Sequence, residues 1–313
     1  QREEWLSLVE NYISGADVVI CMGKVGNRMH VGKATAITKV RGVLCTREAT
    51  GDRPVLPVLG PAHVMTRPEN AETFASDLRI LHSLKECNWS IDSYKKSGST
   101  AGYKRTTDLQ FMLDNPPKGL AVDCETVGLK WWSNGFRVLT VALTTTKGES
   151  HVVPLDLEYI NDLSVRDESS PPEMTIGQID KLKDQLRELL GKQEVNVVGH
   201  NLKYDIHALR SQGIDIQNWY GDTMQLAFTV DDNMTSKSLS ECTRRWCPEL
   251  AGYSDQFDKN TDKSRMQDVP HSEMLEYAGG DTDATYRLAG TLIKIAKQDS
   301  RNYDCYRKIQ MPT

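Results

Sequence analysis

No stretch of the chain approaches the roughly eighteen consecutive apolar residues that a membrane-spanning helix requires. The N-terminus also lacks the basic-then-apolar layout of a secretory signal. Zinc-type pairs of closely spaced cysteines are missing: the seven cysteines, Cys21, Cys45, Cys87, Cys124, Cys242, Cys247 and Cys305, are odd in number and scattered. Such a set fits reduced thiols in a cytoplasmic compartment rather than a disulfide framework. Positive charge is not in excess either. With 38 Lys+Arg against 43 Asp+Glu the net charge is -5, which argues against coating nucleic acid by bulk electrostatics. It does not exclude meeting a strand end through bound metal.

What is present is globular. A hydrophobic fraction of 39% and a charged fraction of 26% over 313 residues fit two domains of ordinary size, read as intracellular and without a membrane partner. The chain opens on Gln1 rather than methionine, so a piece of a longer protein is expected.

The stretch with most chemistry is Gly119-Leu120-Ala121-Val122-Asp123-Cys124-Glu125-Thr126-Val127. Side chains alternate along a strand, so Asp123 and Glu125 are expected on one face and Cys124 in the packing. Carboxylates so placed repel unless a proton, a base or a cation intervenes, and hard divalent cations prefer such oxygens. A strand leaving a core also often ends in acids that merely meet solvent.

Around this stretch, the segments 136–145 and 149–155 read as antiparallel partners joined at Lys147-Gly148. Residues 175–190 carry Ile176, Ile179, Leu182, Leu186, Leu189 and Leu190 at helical spacing, and 195–199 is a short buried strand. Helix then strand implies a crossover to a parallel neighbour. Asp205 falls at the start of the next helix, just past that strand's C-terminal end, where ligands of mixed sheets are usually met. It could equally be a capping residue. Tyr277 and Asp281 share a helix face across Gly279-Gly280, a pair costing about 1 kcal/mol per glycine relative to alanine. A kink or a close backbone approach is expected there, with Asp283 structural.

The ordered combination of Asp-x-Glu, Asn-x-x-x-Asp and Tyr-x-x-x-Asp resembles the 3′ to 5′ exonucleases with four acidic residues and a tyrosine. The closest likeness is to the proofreading domain of family A DNA polymerases. Asn201-Leu202-Lys203-Tyr204-Asp205, Gly221-Asp222-Thr223-Met224 and Ser238-Leu239 ahead of Arg244-Arg245-Trp246 also carry it. The resemblance implies a ribonuclease H-like α/β fold over 119–313, a mixed sheet flanked by helices. It implies hydrolysis of DNA from its 3′ end to mononucleotides, with a single-stranded or frayed 3′ end as partner. Asp123, Glu125, Asp205 and Asp281 match the family's metal ligands, for two divalent ions, Mg2+ or Mn2+. Tyr277 matches the tyrosine that orients the attacking water, and Thr126, Leu129 and Asn201 match residues holding the 3′-terminal nucleotide. Arg307-Lys308-Ile309-Gln310-Met311-Pro312 resembles the segment leading into a polymerase domain, which is expected downstream. RNA trimming, or a non-catalytic DNA-binding or structural module of a polymerase, are the alternatives.

Residues 1–87 form a smaller α/β domain in this reading, with a helix from Arg2 to Ile13, a strand and turn over Asp17–Gly23, a helix starting over Lys24 to His30, a strand and loop over Arg53–His63, and a helix from Glu69 to Leu84. Val18 to Gly23, Arg41-Gly42, Val55 to Ala62 and Arg67-Pro68 resemble the C-terminal half of uracil-DNA glycosylases fused ahead of some phage polymerases. Gly60 stands where that family has its loop histidine, and His63 lies three residues late. The domain is therefore expected to be partial and inactive, and the protein cytoplasmic, in the host cell's cytoplasm if phage-encoded. Residues 88–118 read as a linker in which Lys95, Lys96, Lys104 and Arg105 touch either phosphates or only solvent. Trp131, Trp132, Trp219 and Tyr220 are candidates for base stacking, with core packing the commoner role. His151, His200 and His207 form no ligand set by spacing.

Overall fold

In the computed structural model, residues 8–9, 11–30, 36–46, 52–98, 102–234 and 236–311 are described. They divide into two compact units: residues 1–98 with 233–236 and 240–252, and residues 99–232 with 237–239 and 253–313.

The first unit holds a three-stranded sheet, order β1-β3-β2, from Val19–Met22 (β1), Cys45–Thr46 (β2) and Pro54–Val58 (β3). β1 runs parallel to β3 and β2 antiparallel to it. Every residue of β3 is buried, as the apolar run requires of a central strand. Helix α1 (Gly23–His30) follows β1, and α2 (Ala71–Glu86) lays Ile80 and Leu84 on a core containing Leu44, Leu56, Val58 and Tyr94. The Arg41-Gly42 pair has a structural reason. Buried Arg41 donates to buried Asp77 at 2.7 Å. Gly42, at φ +70°, passes so close that a Cβ would sit 2.8 Å from that carboxylate. Much of the helix expected from Arg2 to Ile13 lies outside the described residues; 8–9 and 11–13 are described and helical.

Residues 88–118 are more ordered than their serine- and glycine-rich composition suggests. They contain a helix at Ile91–Gly98, strand β4 (Gly102–Arg105) and a short helix at Gln110–Asp114. Tyr94 and Leu109 are buried there, so a few apolar anchors order a stretch with little periodicity. Lys104 pairs with Glu149 at 3.0 Å, and Arg105 donates to the His271 carbonyl at 2.7 Å. Both cations are bound within the protein rather than being free linker charges.

The second unit is built on a six-stranded mixed sheet, order β4-β7-β6-β5-β8-β9, flanked by helices. Its further strands are β5 (Gly119–Val127), β6 (Arg137–Thr146), β7 (Glu149–Pro154), β8 (Asn196–Gly199) and β9 (Trp219–Asp222). β5, β6 and β7 pair antiparallel as the spacing predicts, and Gly148 takes φ +76° in the turn. α3 (Ile176–Leu190) carries the chain across to β8, which lies parallel to β5, with β9 parallel beyond it. α3 buries Leu182, Leu186, Leu189 and Leu190 against Leu120, Val122, Cys124, Val141 and Leu143 of the sheet. Its helices include α4 (Leu202–Ser211), α5 (Thr223–Val230) and α6 (His271–Ala296). Among the described residues no helix is long and apolar enough to cross a membrane.

Candidate active site

β5 alternates as its sequence requires: Ala121, Val122, Cys124 and Thr126 are buried, while Asp123 and Glu125 are intermediate and lie on the other face from Cys124. The pairing with β6 shifts register between Glu125 and Thr126, an irregularity of the kind that re-aims side chains beside functional sites. Asp281 comes from α6, and one oxygen from each of Asp123, Glu125 and Asp281 lies within 4.8 Å of the others. Asp205 lies outside that set. It is buried in the first turn of α4 and accepts from the Cys124 backbone N–H at 2.9 Å, between the two β5 acids. Its carboxyl therefore fixes the helix to the strand that carries the cluster.

The glycines before Asp281 permit close approach, and α6 runs through them without a break. A Cβ at Gly279 would meet the Tyr103 ring at 2.5 Å, and one at Gly280 the Tyr253 ring at 2.6 Å. Tyr253 uses the space over Gly280 to donate its hydroxyl to Asp281 Oδ1. Asp283 is structural: it accepts from Arg287 through two 2.9 Å bonds, from Gly148 N at 2.9 Å and from Tyr103 at 3.3 Å.

Tyr277 stacks on Phe257, with centroids 3.9 Å apart and planes 9° from parallel. Lys263 Nζ donates to its oxygen at 2.9 Å and pairs with Asp258 at 2.6 Å. A cavity of about 350 Å3 opens there, lined by Tyr253, Phe257, Glu276 and Tyr277.

Burial and mutual repulsion dominate the electrostatics. Burial pushes the Asp123 carboxyl up to about 6, against a hydrogen bond with Glu125 and the nearby Lys263 charge. Glu125 is held well above the usual carboxylate range by burial and by Asp123 and Asp281. Burial and Asp123 raise Asp281 to about 8, and the same two causes raise Asp205. Burial raises the Tyr277 phenol further above its ordinary value, so it stays protonated at neutral pH. A set of oxygen donors that crowd and resist ionisation fits a hard divalent cation, which would relieve the repulsion.

Of the other expected residues, Thr126 lies on β5, Leu129 on the loop after it and Asn201 at the N-cap of α4. Thr126 Oγ1 donates to Gly128 O at 2.9 Å and shares a 2.5 Å hydrogen bond with the Tyr204 hydroxyl. Leu129 is 80% exposed on the loop after β5. Asn201 takes a left-handed conformation, φ 64°, at the head of α4. The capping carboxylate there is Asp222 rather than Asp205. It accepts from Asn201 N and Leu202 N and also caps α5 through Met224 N and Gln225 N. His200 is pinned between Thr223 and the Lys237 carbonyl, and burial lowers its pKa to about 4. His151 bonds Thr106 and His207 stacks on Trp131, so none of the three joins the carboxylates. Tyr253 and Lys263 went unmarked in the sequence because no fixed spacing ties them to Asp281 and Tyr277, which they bond; Tyr204 stood inside a marked motif, but its bond to Thr126 joins residues 78 apart.

A profile described as 3′-5′ exonuclease matches residues 104–297. The DNA polymerase of Bacillus phage SP01 is 26% identical over 324 residues, covering 95% of this chain and 33% of the polymerase. The DNA polymerase of Escherichia phage T5 is 20% identical over 278 residues, covering 81% and 29%. The chain thus spans about a third of the length of these relatives. Among solved structures, Brucella melitensis NrnC with bound Mg2+ is similar at a TM-score of 0.43 and 16% identity, covering 65% of this chain and 86% of that one. With well over half of its residues matched by one profile, and those residues including both strand β5 and helix α6, the chain belongs to the 3′-5′ exonuclease family.

Proposed function

We propose that this chain is a metal-dependent 3′ to 5′ exonuclease that hydrolyses DNA from the 3′ end and releases mononucleotides, the proofreading part of a longer phage DNA polymerase. The observation that carries the reading is the convergence of Asp123, Glu125 and Asp281 within 4.8 Å in a chain of this family. Asp123, Glu125 and Asp281 would hold one divalent ion, with Asp123 and Asp205 serving a second. Bound ions of this kind supply activation of water and neutralisation of phosphate charge.

The remaining work belongs to the protein's own groups. Tyr277 is protonated, its oxygen accepts from Lys263 and its hydroxyl hydrogen-bonds Asp281, a position from which it would orient the attacking water beside the carboxylates. Tyr253 holds one oxygen of Asp281. Thr126, Leu129 and Asn201 would seat the terminal nucleotide, with exposed Leu129 against its base. The strand order and the parallel crossover support a ribonuclease H-like unit. DNA is favoured over RNA by the likeness to two phage DNA polymerases.

For the first unit we keep a non-catalytic glycosylase-like reading. Gly60 supplies no imidazole, and His63 is exposed on the short helix Pro61–Thr66.

Matched DNA and RNA oligonucleotides with free 3′ ends, incubated with the chain and Mg2+ or Mn2+, test the substrate. Mononucleotide release from DNA, faster from a 3′-mismatched primer-template than from a paired one, is the expected result. Trimming of RNA alone would overturn the proofreading assignment.

A further inference from the structure

The loop that leaves β5 presents two large apolar side chains to solvent, Leu129 at 80% and Trp132 at 66% exposure. Three contacts tie this loop to α4, the helix that carries Asp205. Tyr204 donates to the Gly128 carbonyl at 3.2 Å and bonds Thr126. One turn on, His207 stacks face to face with Trp131, with centroids 4.5 Å apart and planes 4° from parallel. Trp132 then stands edge-on to Trp131 at 5.2 Å and 84°. An exposed indole is ordinarily a hydrophobic cost; here its neighbour is clamped so that it stays outward. The charge around it is selective as well. In a chain of net charge -5, no acidic residue occurs from 126 to 148, and exposed Lys130 sits beside the tryptophans.

We propose that Trp131 and Trp132 form a base-stacking subsite for the single-stranded nucleic acid whose 3′ end enters the carboxylate site. Trp132 is the platform, and Trp131 sets its orientation through His207. A flat aromatic surface beside a lysine suits a nucleobase and its phosphate, and stacking tolerates any base. It supplies in apolar contact what an acidic chain does not supply in charge. This rests on the exonuclease reading, and the acid-free loop running directly out of the acid-bearing strand is what joins the two.

The test is tryptophan fluorescence of the full chain in EDTA, titrated with oligo-dT and with an abasic oligomer of equal length, followed by nucleotide release in Mg2+. Oligo-dT is expected to quench the fluorescence strongly and the abasic oligomer weakly. Trp132→Ala should weaken oligo-dT binding about tenfold to a hundredfold, raise KM and leave kcat within about twofold, while Trp132→Phe restores most of the affinity. Equal affinity of the parent and Trp132→Ala for oligo-dT, in a chain that still releases nucleotides, would overturn the subsite and leave the exonuclease standing. A chain that neither binds oligo-dT nor releases nucleotides would overturn both.

Discussion

Burial raises the carboxyl pKa of Asp123, Glu125 and Asp281, and the Asp123 charge raises Glu125 and Asp281 further, so removing that charge has opposite effects on stability and activity. Asp123→Asn should raise the melting temperature of the metal-free protein by about 2–4 °C, ~1 kcal/mol for a chain of this size. It should also lower nucleotide release by at least about a hundredfold. Calorimetry in EDTA and a nuclease assay check the two halves. Asp222 behaves oppositely, since four backbone N–H groups of two helix entries converge on its carboxylate. Asp222→Ala is expected to cost about 2 kcal/mol or more, read from a denaturant midpoint. The β5 acids were legible because strand alternation alone fixes their shared face. Tyr253 was not, since it reaches Asp281 from a loop 28 residues away in sequence, and no local period connects them.

At the scale of elements, α6 holds glycines of two kinds. Gly279 and Gly280 lie under the Tyr103 and Tyr253 rings, whereas nothing lies within 4 Å of a Cβ built on Gly290. Gly280→Ala should therefore destabilise by about 1–3 kcal/mol through overpacking, and Gly290→Ala should stabilise by about 1 kcal/mol through helix propensity. Urea melts of the two variants check the opposite signs. The sequence marked the Gly279-Gly280 pair as unfavourable for a helix but did not say which neighbour required it, because the two rings come from β4 and from the turn at residues 251–254. The strands of β5 to β8 and helix α3 were legible from apolar periodicity. β4 was hidden in a polar stretch: as an edge strand with two intermediate and two exposed residues, it lacks an apolar run.

For the whole molecule, the buried acids couple stability to pH and to metal. The carboxyl pKa values of Asp123 and Asp281 rise from 3.8 to about 6 and about 8 on folding. The folded protein therefore holds more protons than the unfolded chain across that window, and raising the pH removes stability. Without metal, the melting temperature should fall between pH 5 and pH 8. Mg2+ should raise it at pH 8 and flatten the slope, as binding replaces the protons. Scanning calorimetry at several pH values, with Mg2+ and with EDTA, reads both effects.

The most direct test of the account is the digestion of a 5′-labelled single-stranded oligodeoxynucleotide by the parent chain and by Asp123→Ala/Glu125→Ala, each with Mg2+ and with EDTA. A ladder shortening from the 3′ end with the parent in Mg2+ alone is the predicted result. Equal shortening by the double variant, or by the parent in EDTA, would contradict the assignment of hydrolysis to these carboxylates.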